Sequence, residues 1–239
     1  MNKIFLTAQW RQLLMLNFEI DPKILKPFVT QGTEIDYWEN KTFISLVAFN
    51  FLDTRVKGIP IPFHRNFEEI NLRFYVRRQA PDGWRRGVVF IKEVVPKWAI
   101  AFVARTVYNE NYVALPTKST LTLPQGESEG ELSYSWKYQK TWLQLGATFN
   151  GEPILPQRDS QEEFITEHYW GYCSHKDGST VEYQVEHPQW NAWSTSNILM
   201  KGNFIDFYGE EFSDALSSEP TSTFIADGSE INVRDGSRI

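Results

Sequence analysis

The chain contains one cysteine, Cys173, and three methionines in 239 residues. A lone thiol excludes an internal disulfide and a cysteine-rich zinc site, the usage of a reducing compartment. Histidine is scarce as well. His64, His168, His175 and His187 lack His-x-x-x-His spacing, and zinc needs three or four converging ligands, so no metal is expected. A Walker loop, a Gly-x-Gly-x-x-Gly turn and a Gly-x-Ser-x-Gly elbow are missing, which removes the usual nucleotide cradles and serine-hydrolase chemistry and implies no cofactor. No run approaches the ~20 apolar residues of a bilayer-spanning helix. The opening apolar stretch ends at Gln9 and Arg11, too early for a signal-peptide core, so a cytoplasmic location is expected and the Asn40-Lys41-Thr42 sequon carries no meaning.

Aromatic residues are abundant: 17 Phe, 10 Tyr and 9 Trp within a chain that is 41% hydrophobic. Such a chain can bury a substantial core without disulfides or a structural metal. The net charge of −6 is divided unevenly: residues 1–115 hold 16 Lys and Arg against 11 Asp and Glu, and residues 116–239 hold 8 against 19. The basic excess gathers in Arg73, Arg77, Arg78, Arg85, Arg86, Lys92, Lys97 and Arg105. Without a nucleic-acid motif and with the overall sign negative, these charges are expected on solvated strand faces or paired with the acidic half, and neither nucleic acid nor membrane is an expected partner.

Strand patterns dominate. Leu14, Leu16 and Phe18 alternate with Met15, Asn17 and Glu19 before Asp21-Pro22, where an Asp N-cap and a Pro at the first position open a short helix over residues 23–29. A hairpin is expected from residues 33–38 and 41–55 across Glu39-Asn40. The stretch 58–65 holds two prolines and reads as a loop. In residues 70–77, Ile70, Leu72, Phe74 and Val76 share one face and Asn71, Arg73, Tyr75 and Arg77 the other. Residues 84–95 return as a strand that is apolar on both faces near Val88-Val89-Phe90-Ile91, as a central strand is. A helix over residues 97–109 carries one stripe of Ile100, Val103, Ala104 and Val107 and a second of Trp98, Ala101, Phe102, Arg105, Tyr108 and Tyr112. Strands over residues 115–123 and 132–149 follow. Ser160 and Glu163 form a capping box for a helix to about Tyr169, then come a hairpin of residues 170–174 and 180–186 and a tail pair, 224–226 and 231–233, turned at Asp227-Gly228. The expected fold is a single α+β domain over residues 1–239, with a curved, mainly antiparallel sheet and a few short helices.

Two constellations could carry chemistry. Lys92-Glu93 stands at the end of the central strand, before Lys97 and Arg105, but successive strand residues face opposite sides, so only one of Lys92 and Glu93 can join a given pocket. Glu167-His168-Tyr169 closes a helix, where neighbours diverge by ~100° each. Cys173 lies in a strand pattern, where a small buried thiol is the simpler reading.

Three stretches together carry a resemblance to a known family: Glu163-Phe164-Ile165-Thr166-Glu167-His168-Tyr169, Val185-Glu186-His187-Pro188-Gln189-Trp190, and Gly87-Val88-Val89-Phe90-Ile91 leading to Ala104-Arg105-x-x-Tyr108-x-x-x-Tyr112. The chain resembles the YqjF-like family of uncharacterised conserved bacterial proteins, similar in fold to acetoacetate decarboxylase. The resemblance covers nearly the whole chain and implies a curved, β-barrel-like sheet around a small pocket. The resemblance implies chemistry at a lysine amine kept neutral by an adjacent lysine. No Lys-Lys pair occurs here. Lys92 and Lys97 are the nearest substitutes, and the Lys92-Glu93 pair resembles an Arg-Glu dipeptide of the decarboxylase.

The leading expectation is a pocket that binds a small organic anion, a carboxylate or keto acid, with Arg73 and Arg105 as anchors and Trp98, Tyr108, Tyr112 and His168 around them, because a planar guanidinium matches a carboxylate. A second is a Schiff-base lyase using Lys92 or Lys97, with Glu69, Glu93 or Glu167 moving protons. A third is a non-catalytic scaffold whose barrel is filled by its own aromatics. Oligomeric state is not readable.

Overall fold

The computed structural model describes residues 2–97, 111–126 and 128–239. In chain order the elements are β1 (Ile4–Glu19), α1 (Pro22–Leu25), β2 (Glu34–Ile35), β3 (Phe43–Val56), β4 (Ile59–Pro60), β5 (Phe67–Ala80), β6 (Gly83–Val95), β7 (Tyr112–Ala114) and β8 (Thr117–Thr122). They continue with β9 (Gly130–Tyr138), β10 (Thr141–Phe149), α2 (Gln161–Thr166), β11 (Trp170–Ser174), β12 (Thr180–Glu186), β13 (Ala192–Lys201), α3 (Phe204–Tyr208), α4 (Ser213–Leu216), β14 (Ser222–Arg234) and β15 (Ser237–Arg238). Among the described residues no helix is long and apolar enough to cross a membrane.

Seven strands close on themselves. The order β12-β11-β6-β5-β3-β1-β14 is completed by pairing of β12 with β14 at Val185↔Val233 and Glu186↔Asn232. Most pairs are antiparallel; β11 runs parallel to β6 through Trp170↔Gly87 and Gly171↔Val88. Closure leaves these strands no free edge, which removes the aggregation hazard of unpaired backbone. From β14 the chain of strands passes through β13 into a second layer, β13-β10-β9-β8. This is the curved, mainly antiparallel sheet expected, with the short helices set on it.

The alternation on β5 divides the interior into two cores. Ile70, Leu72, Phe74 and Val76 pack outside the barrel wall with Leu14, Leu16, Trp136, Phe207 and Phe212, between the wall, the second layer and the C-terminal helices. Tyr75, on the other face, packs inside with Leu13, Met15, Val47, Phe49, Val88 and Phe164. A buried polar chain links β1, β3 and β5: Ser45 Oγ donates to Asn17 Oδ1 at 2.6 Å and lies 2.6 Å from the Tyr75 hydroxyl. Such a chain satisfies polar groups that would otherwise be costly to bury.

Local chemistry sets the helices. Asp21 Oδ1 accepts from Lys23 N at 2.8 Å and Pro22 occupies the first turn of α1. Ser160 Oγ accepts from Glu163 N at 3.2 Å, while Glu163 Oε2 reaches back to Asp159 N at 2.7 Å. The capping box is therefore real, but α2 ends at Thr166 rather than Tyr169, because His168 leaves the helix to bond Asp36.

Several expectations need correction. The 33–38 and 41–55 hairpin does not form as such: Trp38 and Lys41 do close a turn with Glu39 and Asn40 at φ 49° and 63°, yet β2 pairs with β5, at Glu34↔Arg77 and Ile35↔Val76. Residues 132–149 are two strands, because Gln139 adopts φ 52° and reverses the chain. Conversely, residues 224–226 and 231–233 belong to one continuous strand. Gly228, at φ +82°, keeps its place in the β1–β14 ladder opposite Arg11 rather than turning the chain, and a Cβ on it would stand 2.0 Å from the Trp10 carbonyl oxygen. The first strand begins at Ile4, ahead of its alternating part. Two prolines do leave most of 58–65 irregular, with β4 as a two-residue pairing to β3. The helix expected over 97–109 lies, from residue 98 onward, outside the described residues.

Candidate functional site

The barrel interior is not filled by its aromatics. A cavity of about 340 Å³ remains, within the size range of small-molecule sites, and all seven barrel strands contribute to its wall. One side is aromatic: Trp10 packs on Phe49, Phe51 and Trp190, and Phe51 stacks on Phe67 with centroids 4.7 Å apart. The other side is polar and built from alternate residues of β5, namely Glu69, Asn71 and Arg73, with Glu93 of β6, Tyr112 of β7 and His168 after α2.

A β-bulge decides which member of Lys92-Glu93 enters. In the β5–β6 ladder, Leu72 faces Lys92 but Arg73 faces Phe90, so Ile91 is an extra residue. This insertion reverses the alternation beyond it. Glu93 therefore lines the cavity, while Lys92 lies on the outer side of the wall, its ammonium bonded to the Phe207 carbonyl and 4.6 Å from the Phe207 ring centroid. Burial lowers the Lys92 pKa. Lys97, beyond the end of β6, does not line the cavity either, and no lysine does among the described residues.

Arg73 stands apart from the other arginines of its hairpin. Arg77 pairs with Glu34 at 2.7 Å, Arg78 and Arg85 share the buried Glu182, and Arg86 Nε meets Asp36 Oδ2 at 2.7 Å. The expected pairing with the acidic half is thus seen for Arg78 and Arg85. Among the described residues Arg73 has no ion pair; its Nε is buried without a hydrogen-bond partner, and its guanidinium carbon lies 5.6 Å from the Tyr75 ring centroid.

Glu69 is buried, accepting from Asn71 Nδ2 and from the Tyr112 hydroxyl, each at 3.1 Å. Desolvation outweighs these bonds and the nearby Arg73 charge, and pushes the Glu69 carboxyl up to about 7. His168 Nε2 lies 3.2 Å from Asp36 Oδ2, and its ring packs on Tyr75 and Phe164. Burial lowers the His168 pKa to about 4. The neutral ring gives its one N–H to Asp36, leaving a buried Nδ1 without a partner. His187, stacked on Trp190 with centroids 4.0 Å apart, is likewise lowered to about 4 by burial.

Of the residues singled out in the sequence, Glu69, Arg73, Glu93, Tyr112 and His168 meet around the cavity. Glu167 does not: it caps α2 and accepts from the Tyr169 hydroxyl at 2.7 Å. Trp98, Arg105 and Tyr108 lie outside the described residues. Asn71 and His187 also line the cavity, and the alternation of β5 already puts Asn71 on the polar face with Arg73. Cys173 is a buried thiol in β11. Among the described residues no group of three or more His, Cys, Asp or Glu could hold a metal ion.

This closed barrel with a second sheet is the fold of the acetoacetate decarboxylase-like proteins. The chain is similar to acetoacetate decarboxylase from Legionella pneumophila, with a TM-score of 0.67 and 12% identity over 98% of this chain and 87% of that one. It is also similar to the enduracididine biosynthesis enzyme MppR complexed with pyruvate, with a TM-score of 0.71 and 10% identity over 100% of this chain and 91% of that one. By sequence the chain belongs to the DUF2071 family, uncharacterized conserved protein (COG2071), which matches residues 7–230. It is 24% identical over 201 residues to the uncharacterized protein YqjF of Bacillus subtilis (strain 168), covering 84% of this chain and 80% of that protein.

Proposed function

We propose that the barrel cavity binds a small organic anion, a carboxylate or keto acid, through Arg73. The observation that carries this reading is an arginine that has no carboxylate partner among the described residues, on the wall of a largely apolar cavity where an unpaired charge is costly. A bound carboxylate would accept from its planar fork. MppR, similar in fold, is complexed with pyruvate, which makes pyruvate a sensible first probe. The described cavity wall has no lysine, so the binding is non-covalent in this reading. Borohydride in the presence of pyruvate or acetoacetate is accordingly expected to leave the protein unlabelled; stoichiometric labelling lost on substitution of Lys92 or Lys97 by Met would favour the lyase instead.

The broad test is a thermal-shift panel of pyruvate, acetoacetate, lactate and inorganic anions. A ligand at 100 times its Kd stabilises the folded state by about 2.7 kcal/mol, a readily measured shift. Stabilisation by carboxylates in the wild type and none in Arg73→Gln is expected. Silence across the whole panel would support the scaffold reading.

A further inference from the structure

We propose that the cavity also moves protons: Glu69 is a general base that removes a proton from the carbon next to the carbonyl of a 2-keto acid seated on Arg73. This rests on the anion-binding reading. Glu69 and Arg73 are four residues apart on one face of β5, so their backbones are separated by roughly 13 Å while both side chains line the same cavity. Among the described residues no ion pair joins them, and a 2-keto acid of three carbons or more would place its carboxylate on the guanidinium and its far carbon toward Glu69.

The carboxylate is held for this task. Asn71 Nδ2 donates to one oxygen and the Tyr112 hydroxyl to the other, both at 3.1 Å; each oxygen keeps a further lone pair that can take a proton. Because the described wall offers no amine for an imine, activation of a carbon acid here falls to a base. Burial supports the assignment by bringing the Glu69 pKa to about 7, where a general base works best at neutral pH. The titratable and charged groups sharing the described cavity wall are Arg73 on its own strand, Glu93, Tyr112, Tyr183, His64, His168 and His187. Of these, the Tyr112 hydroxyl and then Arg73 pull the Glu69 pKa down.

With pyruvate the step balances without a co-reactant. A methyl C–H bond breaks, its proton goes to a Glu69 oxygen, the electron pair forms the C=C bond, and the carbonyl π pair moves onto oxygen as an enolate beside the Arg73 charge. Reversal returns a proton to carbon, and in heavy water returns a deuteron.

The test is proton NMR of pyruvate in heavy water with the full-length protein, following loss of the methyl signal, with pyruvate binding measured separately by calorimetry. The wild type is expected to accelerate exchange, and Glu69→Gln to slow it at least about 100-fold, the usual worth of a general base, with binding retained. The wild-type rate should rise with pH to a plateau, with a midpoint near 7, a readout that stands even if Glu69→Gln fails to fold. Pyruvate binding without exchange, exchange unchanged in Glu69→Gln, or a flat pH profile would each overturn the base assignment and leave the anion site standing. Absence of Arg73-dependent binding would overturn the site itself.

Discussion

Arg73 and Glu182 show how differently two buried charges can be treated in one molecule. Glu182 is 2% exposed and neutralised by Arg78 and Arg85; Arg73 has no such partner among the described residues. Removing one member of a buried pair strands the others, whereas replacing an unpaired buried charge with a hydrocarbon can be neutral or stabilising. Glu182→Ala should therefore cost about 3 kcal/mol or more in urea unfolding, and Arg73→Leu should cost nothing or add up to about 1 kcal/mol of stability. A loss of several kcal/mol in Arg73→Leu would show that the guanidinium holds the fold together. Glu69 gives a second prediction at this scale. Its folded-state pKa, about 7, lies above the unfolded 4.5, so the folded protein binds the extra proton between these values, and the stability this contributes is full below pH 4.5 and lost as pH rises through 7. His168 and His187 work oppositely: their pKa values are lowered to about 4, so their contribution is present above 6.5 and lost as pH falls through 4. The difference between wild type and Glu69→Gln isolates the carboxyl. The variant should gain on the wild type by about 3 kcal/mol between pH 4.5 and 8, in the sense of rising stability with pH, as read from urea midpoints across that range. A constant difference would contradict the raised pKa.

At the scale of elements, the alternation along β5 was readable from its residues, and it correctly separated Ile70, Leu72, Phe74 and Val76 from Asn71, Arg73 and Tyr75. What decided between Lys92 and Glu93 was not, because the Ile91 bulge depends on how two strands align, and neither strand carries a glycine or proline at that point. Turn chemistry misled in both directions: Gln139 reverses the chain without a typical turn residue, and Asp227-Gly228, a strong turn signal, lies within one strand where Gly228 lets the backbone pass close to the Trp10 carbonyl. The helix α3 was legible in principle, since Phe204, Phe207 and Tyr208 fall at i, i+3 and i+4 behind the Asn203 cap; five residues are simply too few for the period to stand out. Gly87 is decisive for the seam between β6 and β11. A Cβ there would lie 2.5 Å from the Trp170 carbonyl oxygen and 2.6 Å from the Tyr172 ring. Gly87→Ala must push the parallel pair apart, and should destabilise by about 2–3 kcal/mol, the upper range for overpacking. Urea unfolding checks this, and a change within ~0.5 kcal/mol would mean the seam is loose.

For the whole molecule, closure of the barrel is what turns scattered polar residues into a site. Strand periodicity states which face a residue occupies but not which strand will be its neighbour, so the β12–β14 seam, and with it the meeting of His168 and His187 with Arg73, could come only from the family resemblance or the structure. Arg234 strengthens that seam by a two-pronged pair with Glu186, at 2.7 and 3.1 Å. The barrel thereby encloses a cavity with an aromatic side, a polar side and, among the described residues, an arginine without an ion pair. Calorimetric titration of pyruvate into the wild-type protein and into Arg73→Gln tests this account most directly. Loss of a buried, hydrogen-bonded charge partner weakens binding by 2 kcal/mol or more, or at least about 30-fold; saturable one-site binding to the wild type and a loss of that size in the variant are the predicted result, and equal affinity in the two proteins, or no binding to either, would contradict it.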